Sequence, residues 1–218
     1  MIPHPIRDVS LRQEALWNDG PHPSAVSDEA FSHHSDTLFF GLRPPSDIAA
    51  RAHRSGDDVR NAHGLRCPLI GRERLHLSLL GFDSPRILPE KAVDALCCIG
   101  AAVVMPQFRI ELNRMMSFGK KSDNARNRAF VLAGDDDTTP GVAMLRRQII
   151  CALRLAGSRA VIPTSFNPHM TLFWDRHDPG EQPIEELGWT ARDFVLIRSL
   201  HGLGKHEELG RWPLQATV

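Results

Sequence analysis

The chain has 218 residues, enough for one large domain or two small lobes packed closely together. Apolar residues make up 42% and charged residues 24%, ordinary for a globular protein, and no apolar run reaches membrane-spanning length. Lys plus Arg and Asp plus Glu both number 26, so no global basic field draws in long nucleic acid, and a phosphate-bearing partner must meet a local patch.

That balance favours a small ligand or a nucleic-acid end over a long duplex. The four cysteines, Cys67, Cys97, Cys98 and Cys151, have no C-x-x-C spacing. Cys97 and Cys98 sit in an apolar run and are expected as reduced core residues, which fits a cytoplasmic protein. The N-terminus lacks the basic-then-apolar pattern of a signal peptide. Residues 1–35 carry Pro3, Pro5, Pro21 and Pro23 among polar residues and read as a partly ordered extension, with a helical turn or two over Leu11–Trp17. His4, His22, His33 and His34 have no carboxylate or thiol at ligand spacing, so no metal site is expected there.

From residue 36 the pattern becomes regular. Thr37–Leu42 is a compact apolar run closed by Pro44-Pro45, a buried strand. Ser46-Asp47 then caps a helix to about Asn61, ended by Gly64. Arg74–Leu80 alternates like a strand, with a loop from Gly81 to Leu88. Pro89-Glu90 opens a second helix with Ala92, Val93, Leu96, Ile99 and Val103 as its apolar stripe, stopped by Pro106. Phe108–Leu112 and Ala129–Leu132 are strands joined by a basic loop, Gly119–Arg128. A third helix covers Pro140–Leu155, with Val142, Leu145, Ile149, Ala152 and Leu153 inward and Arg146, Arg147 and Arg154 on a solvated face. His169–Trp174, Phe194–Leu200 and a short strand near Arg211–Leu214 complete the order. Strands and helices interleave as two related halves, which predicts an α+β fold with helices outside antiparallel sheets.

Two short stretches carry the chemistry. In Arg74-Leu75-His76-Leu77-Ser78-Leu79-Leu80 the leucines alternate with His76 and Ser78, so the imidazole and the hydroxyl share one face of a strand. Pro168-His169-Met170-Thr171-Leu172 repeats the arrangement with His169 and Thr171. If the two pairs meet, they supply what phosphodiester hydrolysis needs. One imidazole activates water, the other protonates the leaving alkoxide, and two hydroxyls hold the non-bridging oxygens. No metal is required for that proton inventory. A histidine on a half-buried strand is often only a hydrogen-bonded structural residue, so the weight rests on the pair.

Two H-x-[ST]-apolar motifs in this order resemble the signature of the two-histidine phosphoesterase superfamily. The nearest branch is the bacterial 2'-5' RNA ligase / RNA 2',3'-cyclic phosphodiesterase family. The resemblance covers residues 36–214, supported by 38–42, 65–80, 130–132, 166–172 and 194–199. It implies a bilobal domain over 36–218 with a pseudo-twofold axis, two antiparallel sheets lining a central groove. It further implies opening of 2',3'-cyclic phosphates on RNA ends or cyclic nucleotides to 2'-phosphates, with ATP-independent 2'-5' ligation in reverse. No cofactor is implied, and a monomer is expected. By the same analogy His169 activates water and His76 protonates the departing 3' oxygen, with Ser78 and Thr171 on the phosphate.

The sequence departs from this family in having no tyrosine, and His206 stands where members often place one near the final strand. Base stacking then falls to Phe40, Phe130, Trp174 or another ring, with core packing as the plain alternative for each. Arg126, Arg128 and Arg198 are candidates for the phosphate backbone, with a solvated surface as theirs. A nucleotide-binding module with little turnover is the competing reading, and intact histidine and hydroxyl pairs argue against it. A serine hydrolase lacks its G-x-S-x-G elbow, and an NTP-driven ligase its Gly-rich phosphate loop.

Overall fold

The computed structural model describes residues 36–83, 90–118, 128–134, 139–160, 162–163, 165–200 and 202–216. The N-terminal extension with its expected turn at Leu11–Trp17, and Arg126, lie outside the described residues.

Among the described residues, three α-helices and eight strands follow in the order β1 (Thr37–Leu42), α1 (Ser46–Ala62), β2 (Leu77–Asp83), α2 (Glu90–Ala101), β3 (Phe108–Phe118), β4 (Arg128–Ala133), α3 (Pro140–Leu155), β5 (His169–Asp175), β6 (Gln182–Ala191), β7 (Asp193–Leu200) and β8 (Lys205–Pro213). The strands form one antiparallel sheet ordered β6-β3-β4-β5-β2-β1-β7-β8. Where two sheets were expected, two four-stranded arms are continuous at the middle through a single register pair, Leu77 with Met170. Those two residues follow His76 and His169 directly.

The arms repeat one plan, β1–α1–β2 in the first and β4–α3–β5 in the second. Each carries a bulge at the same place in its motif. The β1–β2 register shifts between Phe40 and Gly41, opposite Leu80 and Ser78, so Leu79 is the extra residue. The β4–β5 register shifts between Phe130 and Val131, opposite Phe173 and Thr171, so Leu172 is. A bulge lets neighbouring side chains leave strict alternation, and Leu79 with Leu80, and Leu172 with Phe173, are buried in the core as consecutive pairs.

The helices cover one face of the sheet. α1 packs on β5 and β6, α3 on β2 and β3, and α2 on β7 and β8, so α1 crosses to the other arm and α3 straddles the two. Their buried stripes, Ile48-Ala49-Ala52, Ala92-Leu96-Ile99 and Val142-Leu145-Ile149-Leu153, have helical spacing and pack into the sheet. A second, small cluster of Phe39, Val195 and Ile197 lies apart from the main core. Strand alternation puts these on the opposite face from Phe40, Phe194 and Leu196.

Trp212 locks α2 to the sheet. Its ring packs against Phe194 at 5.3 Å and Phe40 at 5.9 Å, and its atoms lie 2.5–2.7 Å from where a Cβ on Gly100 would stand. Helix propensity alone makes Gly100→Ala stabilising by about 1 kcal/mol. Overpacking against a ring that cannot swing away reverses the sign, to a net loss of about 1–3 kcal/mol in chemical denaturation. A more stable variant would show that the ring yields.

Several expected boundaries move. The chain at Arg72–Arg74 is a 3-10 turn closed by bonds from Arg74 N to Gly71 O and Leu75 N to Arg72 O, so the ladder starts at Leu77 and runs to Asp83 where a loop was expected. Ser46 is the first residue of α1 rather than its cap; Pro45 holds that position without a side-chain bond. β3 and β8 are longer than expected, and β6 is a strand with no counterpart in the expected order. Gln182-Pro183-Ile184-Glu185-Glu186 reads as a loop because an edge strand, paired only on its β3 side, tolerates a proline and exposed carboxylates. All four cysteines are free, but Cys98 is exposed rather than core. Arg146, expected on a solvated face, is buried.

Candidate active site

Around both motifs the alternation holds in three dimensions. Leu75, Leu77 and Leu79 are buried while His76 and Ser78 are half-buried; Met170 and Leu172 are buried while His169 and Thr171 are half-buried. Leu77 and Met170 oppose each other with both side chains in the core. The polar residues flanking them therefore project to the other side of the sheet. Continuing the antiparallel register one residue each way sets His76 opposite Thr171 and Ser78 opposite His169. All four line one small cavity, whose wall is completed by Arg74, His206 and Ile70.

Both imidazoles are held in the same manner. His76 Nδ1 is 2.7 Å from the Arg74 carbonyl oxygen, and His169 Nδ1 is 2.7 Å from that of Asn167. Each ring thus donates Nδ1–H to the carbonyl two residues before it. That bond fixes the tautomer and directs Nε2 as the working nitrogen. His76 Nε2 lies 3.0 Å from Ser78 Oγ. An aromatic ring steadies each one: Phe39 stacks on His76 at 4.5 Å, and Phe118 meets His169 edge-on at 4.9 Å. His206 closes the group, edge-on to His76 at 5.2 Å and to Phe39 at 5.6 Å.

Burial pushes the His169 pKa below the ordinary 6.5, and the Asn167 carbonyl offsets part of that by favouring the protonated ring. A desolvated imidazole of this kind is neutral at neutral pH. Its Nε2 lone pair is then available to accept a proton.

The remaining sequence candidates lie elsewhere. Phe40 and Phe130 are 0% and 1% exposed and belong to the core, so neither offers a face to a base. Trp174 is buried with them. Arg198 is committed to Asp36, with Nη2–Oδ2 at 2.6 Å and Nε–Oδ2 at 2.9 Å, and to Glu207 at 3.7 Å. Arg128 is paired with Asp178 at 3.0 Å. Hydrophobic and cationic residue types alone cannot separate a substrate contact from a core ring or a structural ion pair; that depends on what the fold places beside them.

The site residues missed from sequence are Arg74, Phe39 and Phe118. Arg74 could have been found, since it stands two residues before His76 and continues the same alternation. Phe39 and Phe118 come from other strands and leave no local signal. Among the described residues, no group of three or more His, Cys, Asp or Glu side chains is placed to hold a metal ion. None of the described helices is long and apolar enough to cross a membrane.

Comparison with known proteins agrees with this architecture. No curated protein matches the sequence. Among solved structures, TT0787 of Thermus thermophilus superimposes with a TM-score of 0.65 at 22% identity, covering 83% of this chain and 98% of that one. E. coli LigT complexed with 3'-AMP gives a TM-score of 0.58 at 23% identity, covering 83% and 99%. E. coli LigT complexed with ATP gives 0.58 at 18%, with the same coverage. At these identities the likeness establishes a shared fold. The sequence profile of the 2'-5' RNA ligase superfamily matches residues 30–202, a span that includes both histidine motifs and most of the two arms, and the chain belongs to that superfamily.

Proposed function

We propose that the protein hydrolyses 2',3'-cyclic phosphates on RNA ends or small nucleotides to 2'-phosphates, with His169 and His76 dividing the proton transfers and no metal ion required. One observation carries this reading: two imidazoles from different arms, each tied through Nδ1 to the carbonyl two residues earlier, line a single cavity with a hydroxyl apiece.

Water attacks phosphorus and the P–O3' bond breaks. His169 Nε2 takes the proton from water, and His76 Nε2 delivers one to the departing O3', so the site ends with the opposite protonation pattern and is reset by solvent. The lowered pKa of His169 suits it to the base role. Before substrate binds, a protonated His76 donates Nε2–H to Ser78 Oγ across 3.0 Å; with substrate in place that N–H turns to O3' and leaves the Ser78 hydroxyl to the phosphate. Ser78 and Thr171 then donate to the non-bridging oxygens, and the Arg74 guanidinium offsets their charge. LigT has been solved with ATP and with 3'-AMP, and a nucleotide phosphate held by the four motif side chains is the corresponding ligand here. With a ribose 5'-hydroxyl in place of water, the same groups form a 2'-5' linkage without ATP.

A panel of 2',3'-cyclic mononucleotides and cyclic-phosphate-ended oligoribonucleotides, assayed in EDTA, tests the proposal. The expected product is the 2'-phosphate, at an undiminished rate. Activity that appears only on adding a divalent metal overturns it. The same assay gives the pH dependence. The base must be neutral, and its folded pKa lies below 6.5, so the acid limb of kcat/KM falls below pH 6.5. The stability His169 contributes follows the same sign: it is complete above the unfolded pKa and lost as pH drops through the folded one. An acid limb at or above 6.5 would assign the base elsewhere.

A further inference from the structure

The two bulges free one carbonyl each from the strand ladder, and each finds a donor connected to the opposite motif. In the second arm, Leu172 O accepts from Ile70 N at 2.7 Å, and Leu69 bridges Phe173 beside it. Ile70 lies on the segment that leads into His76. In the first arm the donor is a side chain: Arg146 Nε meets Leu79 O at 3.1 Å. Nη2 of the same guanidinium reaches Pro163 O at 2.8 Å, on the segment that leads into His169. The guanidinium also rests 4.7 Å from the centre of the Phe166 ring, on that same segment. The pseudo-twofold plan is therefore kept, with a backbone bond on one side and an arginine on the other.

We propose that Arg146 is a positioning residue that sets the spacing between the two histidine motifs. Leu79 follows Ser78 directly, and Pro163 and Phe166 precede Asn167, whose carbonyl orients the His169 ring. The strands themselves meet at one register pair, Leu77 with Met170. That seam is too short to fix two arms to the tolerance proton transfer needs, so the Ile70 and Arg146 ties carry the rest. Arginine suits the task because Nε and Nη2 diverge at a fixed distance within one rigid plane, whereas a lysine ammonium is a single point on a flexible stem. The side chain is 9% exposed, faces the core side of the sheet and does not line the cavity. Its effect on the reaction is indirect and rests on the hydrolytic reading above.

The test compares Arg146→Lys and Arg146→Met with Arg147→Met, a change at the exposed neighbour on the same helix. Activities are taken well below each variant's Tm and normalised to folded protein. Arg146→Met is expected to lower kcat about 100-fold with KM held, and Arg146→Lys about 10-fold, because misplacing reacting groups by an ångström costs on that scale. Arg147→Met behaves as wild type. A second readout needs no turnover: the imidazole NMR resonances of His76 and His169 shift together in Arg146→Met, while those of His53, on α1, stay in place. Arg146 variants that lose Tm but keep wild-type kcat and unmoved rings overturn the positioning role. If wild type turns over no cyclic phosphate, the proposed function fails, and the ring resonances alone decide the role of Arg146.

Discussion

Replacing His76 or His169 with alanine lowers kcat for cyclic-phosphate opening by about 10²–10⁴-fold in each case, since each removes one proton-transfer group. The double variant is expected to be scarcely worse than the poorer single one. Both rings serve one concerted displacement, and groups acting as a unit give losses that do not add. The pH profiles separate the roles. His169→Ala loses the acid limb, because the group whose protonation stops the reaction is gone; His76→Ala loses the basic limb for the converse reason. Folding should be little affected, since both rings are half-buried and the carbonyl left by His169 belongs to exposed Asn167. Near-wild-type turnover in either single variant would remove the basis for paired acid–base catalysis.

Ser78→Ala and Thr171→Val each lower kcat by about 10²-fold, the scale seen when one donor to a developing anion is removed. Thr171→Val keeps the shape of a side chain on a strand and deletes only the hydroxyl, so its effect isolates the hydrogen bond. Thr171→Ser restores most of the rate. Ser78→Ala has a second consequence, because Ser78 Oγ is also bonded to His76 Nε2 at 3.0 Å. Its profile should therefore show a displaced basic limb, whereas the Thr171→Val limb stays where it is. Equal limbs in the two variants, with full kcat in both, would leave the hydroxyls with a structural role only.

The departures from expectation arise where contacts distant in the chain override local character. Arg146 carries a full charge on a helix face that also holds Arg147 and Arg154, and polarity alone assigns all three to solvent. What buries it is the arrival of two carbonyls, one from a bulge and one from a distant loop, which satisfy the donors a buried guanidinium must place. β6 escaped notice for the opposite reason. Its polar, proline-bearing start contradicts strand propensity, and pairing with β3 overrides that local preference. Phe40 and Phe130 have the right chemistry for a base platform but point to the helix-covered side, while Phe39, next to Phe40 in β1, points to the other side and stacks on His76.

The order of most strands and helices, the superfamily signature, and the shared face of each histidine and its hydroxyl can be read along the chain. Those properties are local: they follow from a period of two along a strand and from residues a few positions apart. That the two pairs meet at Leu77 and Met170, that Arg74, His206 and Phe39 join them, and that Arg146 bonds to the supports of both emerges in three dimensions alone. Contacts between residues far apart in the chain depend on register, bulges and crossing helices, and no stretch of sequence carries them alone.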